Sequence, residues 1–276
     1  MMTKNWIITG TSSGFGYEIA QQVLERGDRV VGTVRRSDAA AEMLERYPDT
    51  FHPELLDLTD VARIRPVVDS AVEWLGGLDV VVNNARYGLF GAAEELTDEQ
   101  IDHVIATNLR GSIQVARAAL PHLRAAGGGR ILQLSSVAGQ TANPGAALYP
   151  ATKWGIEGFS EALAAEVAPF GIGVTIVEPG GARTGFSAHG LQWGPPLEAY
   201  DGTSIRMVRA MLQGSDYRAS GDPVRMAEAM IASVDQTNAP IRLILGSDAQ
   251  ASIDQALQAR LADVQAQAQS AATTDS

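Results

Sequence analysis

The stretch ALYPATKWG at 147–155 places Tyr149 four residues before Lys153. On a helix, positions with this spacing lie on one face, so the two side chains would project together. A free phenol titrates at about pH 10, which is too high for proton transfer at neutral pH, and a nearby ammonium lowers a phenol's pKa because it favours the phenolate. The pair could therefore move a proton, although a lone Tyr/Lys pair is usually only an exposed helix face.

Pro150 lies between the two members of this pair. In a helix interior a proline costs about 3 kcal/mol, but in the first turn its missing N–H would have had no partner. The sequence therefore predicts a helix that begins near 146–148. Tyr149 and Lys153 would then lie at its N-terminal end.

A second candidate site is the glycine-rich segment TGTSSGFG at 9–16, with Gly10, Gly14 and Gly16. Glycines allow a tight turn, and the N-terminus of a following helix offers free N–H groups and a positive dipole end to an anion. The spacing differs from the common G-x-G-x-x-G pattern, and by itself it could be a plain glycine turn. Its position between an apolar run and an amphipathic pattern indicates a phosphate-binding turn.

Short apolar runs alternate with helical patterns along most of the chain. The predicted strands are 6–9, 29–34, 52–56, 78–83, 130–135, 173–178 and 241–245. They are rich in Val, Ile and Leu at both odd and even positions, as parallel strands buried on both faces are. A capping box formed by Thr97 and Gln100 predicts the start of a helix. The pattern predicts an α/β fold: a single Rossmann-type doubly wound parallel sheet with helices on both faces.

No composition shift divides the chain, so residues 1–276 are expected to form a single dinucleotide-binding and catalytic domain. The stretch 185–222 is rich in Gly, Pro and Ser and is expected to be a lid over the substrate. The tail after about 261 is rich in Ala, Gln and Ser and is expected to fray.

Composition restricts the classes of partner. The formal net charge is −11, so neither nucleic acid nor an anionic membrane surface is an expected partner. The chain has no cysteine, and its four histidines show no metal-ligand spacing, so neither a disulfide nor a metal is expected. With no apolar stretch that resembles a signal peptide or a membrane span, a soluble cytoplasmic protein is expected.

Six motifs in order make the chain resemble the short-chain dehydrogenase/reductase family, in its single-domain type. They are TGTSSGFG (9–16), NNA (83–85), Asn108 in TNLRG, LSSVAG (134–139), YPATK (149–153) and PGGART (179–184). The resemblance covers roughly residues 5–250.

The resemblance implies a catalytic set of Asn108, Ser136, Tyr149 and Lys153. Tyr149 would give or take the proton on oxygen during hydride transfer between a nicotinamide and a carbonyl carbon. Ser136 would hydrogen-bond the substrate oxygen, with Ser135 as the alternative. Asn108 would hold a water that links to Lys153, and Lys153 would also bond the nicotinamide ribose.

The resemblance also implies binding residues. Those for the cofactor are Gly10, Ser12, Ser13, Gly14, Phe15, Gly16, Asp57, Leu58, Asn83, Ala85, Tyr149, Lys153, Pro179, Gly180 and Thr184. Those for the substrate are Leu89, Val137, Ala138, Gly181 and Phe186, which are mostly apolar and favour a hydrophobic carbonyl compound.

The end of the second predicted strand bears on the choice of cofactor. NAD enzymes of this architecture place an acid there to bond the ribose 2′-OH, whereas this chain has Val34 followed by Arg35 and Arg36. Guanidinium groups bind a 2′-phosphate that a carboxylate would repel. NADP is therefore the predicted cofactor, held by Arg35 and Arg36, with most of the specificity assigned to Arg35.

One residue departs from the family pattern, because Arg86 follows NNA where the family usually has glycine. If the backbone there is ordinary, the side chain simply points to solvent or to the pocket rim, and this interpretation is favoured. The alternative is a cation beside the cofactor or beside an acidic substrate.

The whole pattern predicts an NADP(H)-dependent oxidoreductase that reduces ketones or aldehydes and, in reverse, oxidises secondary alcohols. Two alternatives stay open: an NADP-binding redox-sensing protein without turnover, and an epimerase or dehydratase on the same scaffold. A small-molecule partner is expected. The resemblance also implies a homo-oligomer, a dimer or tetramer, through the helices that hold Asn108 and Tyr149.

Overall fold

The computed structural model describes residues 3–184, 186, 190–214 and 219–275. Its strands are β1 (Asn5–Thr9), β2 (Arg29–Val34), β3 (Phe51–Leu55), β4 (Val80–Asn83), β5 (Gly88–Phe90), β6 (Gly129–Leu134), β7 (Ile172–Pro179), β8 (Leu191–Trp193) and β9 (Arg242–Leu245). Seven of them form one parallel sheet in the order β3-β2-β1-β4-β6-β7-β9, and β5 pairs with β8 alone. The predicted parallel sheet is confirmed.

Helices connect these strands. They are α1 (Gly14–Glu25), α2 (Ala41–Arg46), α3 (Val61–Leu75), α4 (Asp98–Ile105), α5 (Ser112–Ala125), α6 (Leu148–Val167), α7 (Ser204–Gln213), α8 (Pro223–Val234), α9 (Ser247–Ala266) and α10 (Ala268–Ala272). α4 begins at the predicted capping box, where Thr97 Oγ1 accepts from the Gln100 N–H at 3.2 Å. In the part of the chain that the structure describes, none of these helices has the length and apolar character needed to cross a membrane.

The sheet has a separate apolar core on each face. On β1, Trp6 and Ile8 join one core, which α1 and α8 cover, while Ile7 joins the other, beneath α3 and α5. Adjacent residues of a strand point to opposite faces, so both must be apolar when both faces are buried. This explains the continuous apolar runs and confirms that helices flank the sheet on both faces.

The strand order reverses its direction of growth at β1, since β2 follows on one side and β4 on the other. In open α/β sheets, ligands bind outside the carboxyl ends of the strands at such a point. The segments that follow β1, β4 and β6 all emerge at this edge. They carry the glycine turn, the NNA motif and the serine pair.

Two stretches in the last third of the chain contain regular structure. α9 continues to Ala266 and α10 follows, with alanine as the strongest helix former in this segment, and the expected fraying after 261 stays a prediction. Residues 261–275 are nonetheless exposed. The described part of 185–222 holds β8 and the amphipathic helix α7, and its role as a lid stays a prediction.

Candidate active site

Helix α6 positions the tyrosine and the lysine as predicted. It begins at Leu148, which puts Pro150 in its first turn, where no intrahelical N–H bond is lost. Tyr149 and Lys153 are both buried, and the Lys153 Nζ lies 5.7 Å from the centre of the tyrosine ring. The pair is therefore not an exposed helix face.

The Lys153 ammonium group lies in the interior of the protein. Its Nζ donates to the Leu134 carbonyl oxygen at 2.8 Å, at the carboxyl end of β6. Burial lowers the pKa of Lys153 well below its usual value, the Arg86 guanidinium lowers it further, and Glu157 opposes both. Glu157 is thus the neighbour that favours the charged form of this lysine.

Asn108 is held by a local irregularity between α4 and α5. Residues Ala106–Gly111 form a π-helical turn, in which the backbone bonds are one residue wider than in an α-helix. The side chain of Asn108 makes two hydrogen bonds with the Tyr87 backbone. Its Oδ1 accepts from the N–H at 3.1 Å, and its Nδ2 donates to the carbonyl oxygen at 2.8 Å. The π turn carries no sequence signal of its own.

The two serines after β6 have different surroundings. Ser135 is fully buried, and its Oγ donates to Glu157 Oε1 at 2.5 Å. Ser136 is half-buried, and its Oγ accepts the Ala138 N–H at 3.2 Å. A hydroxyl has one proton to donate, so Ser135 has already used its own, whereas Ser136 keeps its proton available to a ligand.

The glycine turn forms one end of a cavity of about 290 Å³. Gly10 and Gly14 have left-handed φ angles of 72° and 58°, and a Cβ on Gly16 would lie 2.1 Å from the Gly10 carbonyl oxygen. Ser13, the N-cap of α1, makes no side-chain capping bond, so the first N–H groups of the helix remain open to an anion. These features fit the diphosphate of a dinucleotide.

At the far end of the same cavity, the two arginines that follow β2 have different positions. Arg35 lines it together with Val34, Asp57 and Leu58. Arg36 instead lies on the surface, where its Nε and Nη2 bond the Asp38 carboxylate at 3.1 and 3.0 Å. Arg36 therefore does not line the cavity that Arg35 lines, and a carboxylate two residues away already pairs with it.

A second cavity of about 430 Å³ adjoins the first one. Tyr149, Ser135 and Ser136 line it, together with predicted binding residues, namely Val137, Ala138, Pro179, Gly180 and Gly181. Val208, Met211 and Leu212 of α7 close it from above, and its walls are mainly apolar. Four residues line both cavities and form the wall between them: Phe15, Arg86, Thr184 and Phe186.

Five predicted binding residues line neither cavity: Gly16, Arg36 and Lys153, and the strand residues Asn83 and Leu89. The Asn83 side chain is buried and donates to the Ser112 carbonyl and to Gln133 Oε1, and the next residue, Asn84, lines the first cavity instead. Leu89 is fully buried in a small apolar core beside the second cavity, and Phe90 lines that cavity instead. Both residues belong to strands, where neighbouring side chains point to opposite faces.

Arg86 does not point to solvent. Its φ is negative, so the position does not require glycine for backbone reasons. The side chain is half-buried in the wall between the cavities, with its guanidinium 5.5 Å from the Phe15 ring centre and 5.2 Å from that of Phe186. This placement agrees with a side chain at the pocket rim and also with a cation beside the cofactor or beside an acidic substrate.

The geometry matches a known family. The model of the short chain dehydrogenase family matches residues 4–193. The chain belongs to this family. Its members are oxidoreductases that use a nicotinamide cofactor. The described residues contain no cluster of possible metal ligands.

Three similar proteins illustrate this relationship. The oxidoreductase BOA17 of Botryotinia fuckeliana is 35% identical over 249 residues, which cover 90% of each chain. A short-chain dehydrogenase from Streptomyces avermitilis has a solved structure that is 36% identical, covers 100% of each chain and superposes with a TM-score of 0.93. The 3-ketoacyl-(acyl-carrier-protein) reductase of Brucella melitensis, solved with NADH, is 26% identical and covers 87% of this chain and 96% of its own, with a TM-score of 0.73.

A buried carboxylate connects α7 to the rest of the protein. The Glu95 side chain is fully buried and accepts from the backbone N–H groups of Ala92 and Leu197 at 2.8 and 2.9 Å. It also pairs with Arg206 at 2.8 Å and Arg209 at 3.8 Å, both on α7. Sequence reasoning missed this cluster, since its members lie about a hundred residues apart.

We expect Glu95→Gln to lower the free energy of unfolding by about 1–2 kcal/mol, because it leaves two mostly buried guanidinium groups with a neutral partner. Urea titration measures this change. Glu94→Gln is the control, since this substitution makes the same chemical change one residue away, on an exposed side chain. Equal stability of the two variants would contradict the assignment.

A second buried cluster lies beneath the serines. Glu178 is fully buried, and its Oε1 accepts from Arg242 Nε at 3.1 Å and from Gln140 Nε2 at 3.3 Å. Burial raises the pKa of Glu178 to about 7, and repulsion from the neighbouring carboxylate of Glu157 adds to this. The folded protein therefore holds a proton that the unfolded chain releases near pH 4.5.

This proton makes folding stability depend on pH. Because the folded-state pKa is raised, the stabilisation is present below about pH 4.5 and is lost as the pH rises to about 7. We expect Glu178→Gln to flatten that part of the stability profile, measured by urea unfolding across this range. Glu161→Gln, which removes an exposed partner of the same arginine, should keep the slope. An unchanged slope in Glu178→Gln would contradict this origin.

Proposed function

We propose that this chain is an NADP(H)-dependent reductase of hydrophobic ketones or aldehydes that, in reverse, oxidises secondary alcohols. One observation carries the proposal: Tyr149 and Ser136 line an apolar cavity that adjoins the cavity of the glycine turn. A carbonyl compound in the second cavity would lie against the tyrosine and the serine. When bound, the cofactor supplies the hydride.

The chain's own residues would handle the proton. Tyr149 would give its phenolic proton to the carbonyl oxygen on reduction and take it back on oxidation. Ser136 has a free hydroxyl proton to donate to that same oxygen, which supports it over Ser135. Lys153, buried one helical turn beyond the tyrosine, would supply the positive charge that favours the phenolate.

Asn108 would support Lys153 indirectly. Its amide holds the Tyr87 backbone and also reaches Thr152 Oγ1 at 3.4 Å, on the helix that carries the lysine. A water between this amide and the Lys153 ammonium would connect the proton to solvent. The fixed π turn keeps the asparagine at this depth.

Choice of NADP over NAD is part of the proposal and rests on Arg35. This arginine lines the first cavity beside Asp57, at the end of β2, where an acid would otherwise bond a ribose hydroxyl. A guanidinium at this point would bind the 2′-phosphate with charge-assisted hydrogen bonds. Arg36, paired with Asp38, has no such role in the proposal.

A carbonyl panel assayed with NADPH and with NADH tests this function. Aromatic and aliphatic ketones, aldehydes and secondary alcohols would be screened while the absorbance of the reduced cofactor is followed. We expect oxidation of NADPH with apolar ketones. Cofactor binding without turnover of any compound would favour the redox-sensing alternative, and product formation without net cofactor oxidation would favour the epimerase or dehydratase.

A homo-oligomer, dimer or tetramer, belongs to the same proposal. The helices that carry Asn108 and Tyr149 expose large apolar side chains, with Ile105 39% and Trp154 43% exposed. Burial of such side chains between copies is the usual basis of a stable interface. We expect sedimentation to give a mass of at least two chains, and a monomer at micromolar concentration would contradict this.

A further inference from the structure

Arg86 is the one charged residue among the described residues that line the second cavity. The other lining side chains are mainly aliphatic or aromatic, and the polar ones are neutral: Ser135, Ser136, Asn143, Tyr149 and Thr184. A cavity of this composition suits a largely hydrocarbon ligand. The single cation in its wall would have no charged partner beside a neutral ligand, so the cavity also favours a ligand with a negative charge.

The Arg86 guanidinium has N–H donors that the described residues do not use. Its Nη1 makes two long hydrogen bonds, to the Asn84 carbonyl at 3.3 Å and to Asn84 Oδ1 at 3.2 Å. Its Nε and Nη2 make none with the described residues, and none of the ion pairs found among them includes Arg86. A guanidinium has five N–H donors, so most of them are free for a ligand.

The surrounding rings hold the guanidinium without neutralising it. Phe15 and Phe186 lie 5.5 and 5.2 Å away from it, at the distance of cation–π contacts. Such contacts leave the N–H edges of the group open. A half-buried cation without an anion is electrostatically unsatisfied, and a carboxylate offers it two parallel hydrogen bonds.

We propose that Arg86 binds the anionic group of the substrate, and that the substrates are hydrophobic carbonyl compounds that carry a carboxylate. This inference rests on the proposed function and narrows its substrate class. The hydrocarbon part would occupy the apolar walls, the oxo group would meet Tyr149 and Ser136, and the carboxylate would pair with Arg86.

The cofactor is a second source of anionic groups. Arg86 also lines the first cavity, which contains Ser12, Ser13 and Gly14 of the phosphate-binding turn. If the guanidinium served only the diphosphate, its removal would weaken cofactor binding and leave the preference among substrates unchanged. The affinity for the cofactor must therefore be measured beside the affinity for the substrate.

Matched acids and esters test the proposal by binding. Benzoylformate and benzoylacetate, each with its methyl ester, would be titrated calorimetrically into protein saturated with the oxidised cofactor, which blocks reduction. Two acids are used because they differ in the separation of oxo group and carboxylate. The quantity of interest is the affinity for the acid divided by that for its ester.

We expect the unmodified protein to prefer at least one acid over its ester, and Arg86→Met to reduce that ratio by about 10- to 150-fold, the value of one charge-assisted bond. Arg86→Lys should keep part of the ratio. Arg183→Met is the control, since Arg183 lines neither cavity and pairs with Asp222.

Three results would overturn the proposal. They are the absence of any acid preference in the unmodified protein, a preference that survives Arg86→Met, and a loss of cofactor affinity in that variant with the ratio unchanged. Binding needs no turnover, so a protein that reduces no carbonyl compound can still show the acid preference. Failure of the proposed function and failure of this inference are therefore distinguishable.

Discussion

Tyr149→Phe should lower the turnover number by about 10²- to 10⁴-fold, the usual contribution of a general acid or base. The ring would remain in place, stacked on the Phe90 ring at 6.1 Å and tilted against the Phe186 ring at 6.1 Å. Only the hydroxyl is removed, and it makes no hydrogen bond with the described residues. The proton donor is thus lost while the packing is kept.

Two measurements separate this effect from misfolding. Steady-state reduction gives the turnover number, and thermal unfolding together with cofactor titration should match the unmodified protein. Tyr47→Phe is the control, since Tyr47 is a half-buried tyrosine that lines neither cavity and whose hydroxyl donates to Glu25. Near-normal reduction by Tyr149→Phe would remove the tyrosine from its proposed role.

Arg35→Ala should weaken NADP binding by about 10- to 150-fold and barely change NAD binding, because one charge-assisted bond contributes about 1.5–3 kcal/mol. Arg35 lines the first cavity and makes no ion pair with the described residues. Its guanidinium is therefore available to a phosphate, and NAD has none at that position.

The neighbouring arginine offers a matched control. Arg36→Ala removes the same charge one residue away, from a side chain that Asp38 already holds at the surface. Titration of both cofactors into the unmodified protein and the two variants decides the assignment. Tighter binding of NAD to the unmodified protein, or an equal loss of both cofactors in Arg35→Ala, would show that this arginine does not select the cofactor.

Features that depend on a few consecutive residues were predictable. Apolar residues at both odd and even positions predicted strands buried on both faces, and the structure confirms the parallel sheet. Pro150 predicted where α6 begins, and the capping box of Thr97 predicted where α4 begins. Each of these signals acts through backbone geometry within one or two turns of its own position.

Very short elements were not predictable in the same way. β5 and β8 have three residues each, too few for a periodic pattern, and they form because they pair with each other across about a hundred residues of chain. Their pairing decides which side chain faces the second cavity, and it selects Phe90 rather than Leu89. Exposure within such a strand depends on its partner rather than on its own sequence.

Local sequence patterns were enough to predict the sheet, the glycine turn and the helix that brings Tyr149 and Lys153 onto one face, because each depends on local backbone preferences and on a repeat of apolar residues. The positions of the charges depended instead on tertiary contacts. The tertiary structure placed Arg86 in the wall between two cavities, paired Arg36 with Asp38, and buried Glu95 against α7. Charge–charge contacts and burial arise between segments distant in the chain, and no local pattern records which segments will meet.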